Sequence, residues 1–177
     1  MRSPGLCWIE AFWQGQQVLG ELWYFAYGSN MTRSIFMERR GMRPSSVTWG
    51  WLDGYRLCFD LPVGPGERGV ANIIADGNAR TCGVLYRISE QEAARLDRTE
   101  GVHGGLYIRL PIVVVDAAGT PVAAFAYQSS FASAGRKPSA RYVGLLLAGA
   151  REHGLPADYV AFLESLELAC DERTERV

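Results

Sequence analysis

The chain has 177 residues, 48% hydrophobic and 21% charged, the composition of one ordinary globular domain with a sizeable core, so no second domain is expected. A formal net charge of −1 lacks the basic excess that nucleic acid or an anionic membrane surface selects, so no nucleic-acid or membrane partner is expected and a small molecule fits better. No apolar run approaches the roughly 18 residues of a membrane-spanning helix.

Residues 1–21 read as an N-terminal extension, weakly ordered or peripherally packed. They open with Arg2 and some apolar character, but Glu10 interrupts the run, Gln14, Gln16 and Gln17 follow, and no small-residue cleavage site closes it, so a secretory leader is not expected. The domain proper is expected over 22–168, and 169–177 form a charged, solvated tail.

The first element is the most informative. Trp23-Tyr-Phe-Ala-Tyr27 alternates side chains on two apolar faces, which predicts a buried, central strand, and it breaks abruptly into Gly28-Ser29-Asn30. Gly28 is read as supplying a backbone angle that a β-carbon resists, with Ser29 and Asn30 capping a helical segment from Met31 to Arg40. Unpaired N–H groups at such a junction attract carboxylates, phosphates or a developing oxyanion.

Ser46–Leu61 then reads as one or two strands with a break at Asp53-Gly54, and Pro62–Gly69 as a loop. Val70–Ala75 and Cys82–Ile88 are expected to form an antiparallel pair reversing at Asp76-Gly77-Asn78. Ser89 with Glu92 three residues on is a capping box, and the helix it opens should stop at Glu100-Gly101. Tyr107–Val115 and Val122–Tyr127 are two further strands joined by a polar turn. After Pro138-Ser139 the apolar period becomes helical through Ala150. Gly154-Leu155-Pro156 stops that helix, and Ala157–Leu166 supports another with Tyr159, Phe162, Leu163 and Leu166 on one face. This order predicts a single α+β domain with a curved, barrel-like, mostly antiparallel mixed sheet flanked by helices, an open sheet being the alternative.

Four cysteines, Cys7, Cys58, Cys82 and Cys170, form no CxxC pair, so neither a zinc site nor a redox motif is indicated, and a cytoplasmic protein with reduced thiols is expected. The two histidines, His103 and His153, are too few for a His-rich metal site or a serine triad, and no metal is expected. Glu100 is the candidate acid–base group. It sits at a helix end beside a glycine-rich crossing into an aromatic strand, where burial would raise a carboxyl pKa towards that of a useful base. Asp97 is its rival, and a solvated helix-terminal Glu is the plainer alternative.

Four ordered stretches resemble the gamma-glutamylcyclotransferase family. They are Tyr24-Phe-Ala-Tyr-Gly-Ser-Asn30, Leu96-Asp-x-x-Glu-Gly-Val102, Gly105-Leu-Tyr107, and Pro138-Ser-Ala-Arg-Tyr142 followed by Gly149-Ala-Arg-Glu-His-Gly-Leu-Pro-Ala-Asp-Tyr159. The resemblance covers about Leu22 to Leu166, with Met42–Ala79 unaligned. It implies a barrel-containing α+β fold, no metal or organic cofactor, and conversion of a gamma-glutamyl amino acid or related gamma-glutamyl compound into 5-oxoproline with release of the amino acid or amine. Under it, Glu100 is the general acid/base. The substrate contacts are Tyr24, Phe25, Ala26, Tyr27, Gly28, Ser29, Asn30, Tyr107 and Tyr142.

That chemistry needs no nucleophile from the protein, because the substrate's own α-amine attacks its γ-carbonyl. It needs a base: a peptide-like amine near pKa ~7.8 and an ordinary Glu near ~4.3 differ by about 5 kcal/mol for complete proton transfer. Amides around Tyr27, Gly28 and Ser29 are candidates for the oxyanion or for the substrate α-carboxylate, and the sequence leaves both open. Arg136, Lys137 and Arg141 are candidates to meet a leaving-group carboxylate, solvation being the plainer alternative. The competing class is a non-catalytic ligand-binding or interaction domain on the same fold. A serine hydrolase is disfavoured because no GxSxG elbow is present. Oligomeric state is left open, a homodimer included.

Overall fold

Five strands, β1 (Glu21–Ala26), β2 (Ser46–Pro62), β3 (Gly69–Ser89), β4 (Ile108–Asp116) and β5 (Pro121–Gln128), close into a barrel in the order β1-β3-β2-β4-β5. The computed structural model describes residues 20–64 and 66–170. All neighbouring pairs are antiparallel except β1 with β5, whose parallel contact at Tyr24 and Phe125 shuts the barrel. The expected α+β barrel is present, and β1 is central, paired on both sides.

The expected reversal at Asp76-Gly77-Asn78 does not occur. β3 runs through it as one strand, with Asp53 opposite Arg80 and Tyr55 opposite Ala75, so residues 76–79 are extruded as a bulge. Both apolar runs pair with the same long partner, β2, which bends at Gly54 (φ 78°) instead of ending there. Asp76 Oδ1 accepts from the Asn78 amide at 3.1 Å, so the turn-forming chemistry is spent inside the bulge.

Helix α1 (Glu90–Glu100) has the capping box read from sequence. Ser89 Oγ accepts from the Glu92 amide at 3.2 Å, Glu92 Oε2 accepts from the Ser89 amide at 3.1 Å, and Gly101 ends the helix at φ 70°. Ser139 caps α2 (Ala140–Glu152) through the Tyr142 amide at 3.2 Å. In α3 (Ala157–Glu164), Tyr159 and Leu163 are buried, whereas Phe162 stays exposed.

The segment after β1 departs most from expectation. A single 3-10 turn spans Ser29–Met31 and a wide π-helical turn spans Ser34–Arg39. Neither Ser29 nor Asn30 caps them; Thr32 Oγ1 accepts from the Ile35 amide instead, at 3.3 Å. Asn30 is buried, and its amide is turned to the interior. The turn is clamped from outside by α2, where Gly149 lies so close to Met31 that a β-carbon would come within 2.5 Å of the Met31 Cβ. Underneath, Phe36 stacks on Tyr86 with ring centroids 4.1 Å apart and on Tyr24 at 5.7 Å, a column that fixes the Tyr24 ring.

Most of the expected extension and tail, residues 1–19 and 171–177, lies outside the described residues. Glu21 already pairs with Ser89. Among the described residues no helix is long and apolar enough to cross a membrane.

Candidate active site

The end of β1, the turn after it, the C-terminus of α1 and the first turn of α2 converge on a cavity of about 320 Å³. Its lining includes Tyr24, Tyr27, Gly28, Ser29, Asn30, Tyr107 and Tyr142, together with Glu100, so most residues singled out from sequence meet in one place. Phe25 and Ala26 do not line it. Both are fully buried in the barrel wall, where they set the position of their neighbours.

Glu100 is the last residue of α1, and its side chain is only 13% exposed. Its Oε1 accepts from Asn30 Nδ2 at 3.0 Å and pairs with Arg40 Nη2 at 2.9 Å. Because a carboxylate only accepts, the Asn30 atom facing it must be the NH₂ group. That NH₂ also donates to the Tyr24 hydroxyl at 2.9 Å, so Asn30 bridges β1 to α1. The setting is a charged hydrogen-bonded pair, not the apolar pocket expected from the flanking residues. Glu100 Oε2 has no hydrogen-bond partner among the described residues, and the buried Asn30 Oδ1 has none either. Glu100 Oε2 is therefore an open acceptor on a residue that lines the cavity, whereas Asn30 Oδ1 is an unpaired oxygen closed off from solvent.

The rival carboxylate is otherwise engaged. Arg109 holds Asp97 bidentately at 2.7 Å through each contact, Tyr127 donates to it at 2.7 Å, and Asp97 does not line the cavity. One turn of helix thus separates a structural acid from an available one.

Gly28 has an extended backbone (φ −112°, ψ −151°), so the backbone argument made from sequence is replaced by a spatial one. A β-carbon there would lie 3.0 Å from the Tyr142 hydroxyl and 3.4 Å from the Ala71 Cβ. The missing side chain lets Tyr142 lean over the turn, where its oxygen accepts from the Ala71 amide at 3.2 Å. In the turn itself the Met31 amide donates to Gly28 O and the Thr32 amide to Ser29 O. The amides of Gly28 and Asn30 make no backbone bond among the described turns and loops, and the Ser29 backbone and hydroxyl both interact with the Tyr142 phenol.

Burial pushes the phenols of Tyr24, Tyr27, Tyr107, Tyr127 and Tyr142 above their ordinary range, so they remain neutral hydroxyls. Tyr27 donates to the Tyr127 carbonyl, and Tyr107 to that of Ala71 at 3.4 Å. Glu100 and Arg40 are the charged residues of the lining, which contains no His or Cys. His103 is exposed, and His153 meets Tyr86 behind the turn.

Sequence reading missed Arg40 and Tyr127 as wall residues. Arg40 ends the segment that starts at Met31, but its reach to Glu100 depends on the wide turn, which no periodicity announces. The basic residues proposed for a leaving group divide. Arg136 donates to the Gly66 and Arg68 carbonyls and Lys137 pairs with Glu67 and Glu167, so both are structural, whereas Arg141 faces an adjoining cavity.

The cavity thus brings one carboxylate with an open oxygen together with Arg40, neutral phenols and the amides of the turn after β1. Comparison with known proteins supplies the class. The AIG2-like family model matches residues 80–163, a stretch that includes Glu100, Tyr107 and Tyr142. Gamma-glutamylcyclotransferase of Bos taurus is 32% identical over 152 residues, spanning 81% of this chain and 78% of the relative. That of Homo sapiens is 29% identical over 152 residues with the same coverage. Among solved structures, a gamma-glutamyl cyclotransferase shares the fold with a TM-score of 0.76 at 24% identity, over 86% of this chain and 91% of that one. An uncharacterized protein from Homo sapiens matches with a TM-score of 0.74 at 26% identity, over 84% and 89% of the two chains. The chain belongs to the gamma-glutamylcyclotransferase family, and it is an enzyme.

Proposed function

We propose that this enzyme converts gamma-glutamyl amino acids into 5-oxoproline and the free amino acid, with Glu100 as the proton carrier. The observation that carries the assignment is the open acceptor Glu100 Oε2, on a carboxylate whose other oxygen is held by Asn30 and Arg40, in a cavity whose remaining lining is neutral apart from Arg40. A substrate α-amine needs a base that orients it and relieves it of a proton, and this oxygen is placed to do both.

The substrate's glutamyl chain folds back in the cavity so that its α-nitrogen meets its γ-carbon. The N–C bond forms as the amine proton passes to Glu100 Oε2, and the negative charge moves to the γ-oxygen. Amides of the Gly28–Asn30 turn and the Tyr142 hydroxyl are the donors at hand for that oxyanion or for the α-carboxylate. The C–N bond to the leaving amine then breaks as Glu100 returns the proton to it. No water is consumed and no acyl-enzyme forms, which fits a cavity lining without His or Cys. Arg40, the cation of the lining, holds Oε1 so that Oε2 faces the substrate, and it is placed to meet a substrate carboxylate. Positioned acid–base help of this kind contributes about 10²- to 10⁴-fold.

The test is mass-spectrometric detection of 5-oxoproline from gamma-glutamyl-alanine with wild type and Glu100→Gln. The amide keeps shape and binding but can neither take up nor return a proton, so turnover should fall by at least about 10²-fold. Comparable turnover in the variant overturns Glu100 as the carrier.

A further inference from the structure

A second cavity, of about 770 Å³, adjoins the first and shares Ser29, Arg40, Val63, Val70 and Tyr142 with it. Besides Arg40, its lining holds Arg39, Arg68, Arg95 and Arg141, and no Asp or Glu. These arginines come from separate segments: the wide turn and its end, the connection just before β3, α1 and α2. Elsewhere in the described residues Arg56, Arg87, Arg109 and Arg151 are matched by Asp76, Glu21, Asp97 and Glu164, while Arg33, Arg43, Arg80, Arg98 and Arg136, scattered over the fold, make no ion pair. Here Arg39, Arg68 and Arg141 make no ion pair among the described residues, and the Arg68 Nε is buried without a partner.

Two further features oppose the reading of a merely solvated basic face. Arg141 occupies the first turn of α2, where the helix dipole disfavours a cation. The chain has 18 Lys and Arg against 19 Asp and Glu, so the cluster is a local excess and not a general one. Crowded guanidiniums repel one another unless an anion sits between them, and their planar forks match carboxylates bidentately.

We infer that the leaving half of the preferred substrate lies in this outer cavity and carries two carboxylates, so that the enzyme favours a gamma-glutamyl derivative of an acidic amino acid over one of a neutral amino acid or an amine. The inference rests on the cyclotransferase reading, since the γ-carbonyl at Glu100 and the rim shared by the two cavities direct the leaving half outward. A neutral amino acid brings one carboxylate to three unmatched guanidiniums. A dicarboxylic one comes closer to balancing them.

The experiment compares kcat/KM for gamma-glutamyl-glutamate, gamma-glutamyl-alanine and gamma-glutamyl-butylamine, in wild type and in Arg39→Gln/Arg141→Gln, with circular dichroism confirming that the variant folds. Wild type should favour the diacid over the alanine derivative by about tenfold at low salt, and the ratio should collapse in the variant and at high salt. Equal kcat/KM in wild type, or a preference that survives the substitutions, overturns the inference while leaving the reaction in place. Absence of 5-oxoproline from all three overturns the reaction instead. In that case calorimetry on Glu100→Gln decides: tighter binding of the diacid that depends on Arg39 and Arg141 sustains the inference, and equal or absent binding ends it.

Discussion

Arg40 Nη2 and Glu100 Oε1 lie 2.9 Å apart, and the same oxygen takes a hydrogen bond from Asn30 at 3.0 Å. One oxygen of the carboxylate is thereby occupied by the protein, and the other has no partner among the described residues. Arg40 also donates to the Thr99 hydroxyl, one residue before Glu100, so its guanidinium spans the end of α1. Arg40→Met keeps the length of the stem and removes both contacts. Loss of one partner of a charge-assisted pair should lower kcat/KM by about 10- to 100-fold. Arg40→Lys should recover only part of this, because a point charge cannot serve Glu100 and Thr99 together. Steady-state kinetics on gamma-glutamyl-alanine check it, and an unchanged Arg40→Met enzyme would remove the residue from the site.

Asn30 separates binding of the carboxylate from burial of the phenol. Its NH₂ serves both Glu100 and Tyr24, but Tyr24 only accepts from it. Asn30→Ala should therefore cost kcat/KM about 10-fold or more, the worth of a hydrogen bond to a charged group, and Tyr24→Phe clearly less. The reverse order in measured kcat/KM would show that Tyr24 acts directly on substrate.

The contact of Gly28 with Tyr142 is testable by coupling. Gly28→Ala introduces a β-carbon 3.0 Å from the Tyr142 hydroxyl without straining an extended backbone, so thermal stability should change little while KM rises. Removing the hydroxyl makes room. The double variant Gly28→Ala/Tyr142→Phe should be less impaired than the product of the single effects, and strict additivity in the cycle would place the disturbance elsewhere.

The caps of α1 and α2 and the helix stop at Gly101 were legible because each rests on residues close in sequence, whereas the turn after β1 was legible in place but not in its 3-10 and π-helical form or its capping. Glu100 was legible as a residue but not as an environment. Its partners come from positions 30 and 40, brought to it by a π-helical turn and a barrel closure that leave no periodic trace. The β3 error has the same origin. Asp76-Gly77-Asn78 has turn chemistry, and only the long partner β2 converts it into a bulge. The outer arginines fall in four unrelated segments, so their convergence exists only in three dimensions.

Gly149 shows how the helical layer holds the turn. In an exposed helix, Gly→Ala stabilises by about 1 kcal/mol. Here the added carbon would lie 2.5 Å from Met31 Cβ and 2.7 Å from the Met31 carbonyl carbon, and backbone cannot swing aside. Gly149→Ala should instead destabilise by about 1–3 kcal/mol and lower activity together with stability, since the Ser29–Met31 turn must shift. Denaturant unfolding measures the first effect, and a stabilised variant would show that α2 is free to move away.

His153 links the same turn to pH. The Tyr86 hydroxyl donates its single proton to the Met31 carbonyl at 2.9 Å, so its 3.1 Å contact with His153 Nε2 requires that nitrogen to carry the proton and donate. Burial lowers the imidazole pKa below its ordinary 6.5, Arg33 adding to the effect while Glu152 and the Met31 carbonyl oppose it. With the native value below the unfolded one, the unfolded chain binds more protons as pH falls, so the contribution is complete above pH 6.5 and is lost on acidification through the lower native value. Glu92, whose pKa is held below 4.5 by the Arg43 and Ser89 amides against the effect of burial, acts only at more acid pH. Melting temperature should therefore decline as pH falls below 6.5 in wild type, and less steeply in His153→Gln, which keeps a donor for Tyr86 but cannot titrate. Parallel profiles for the two proteins would assign that decline to groups other than this histidine.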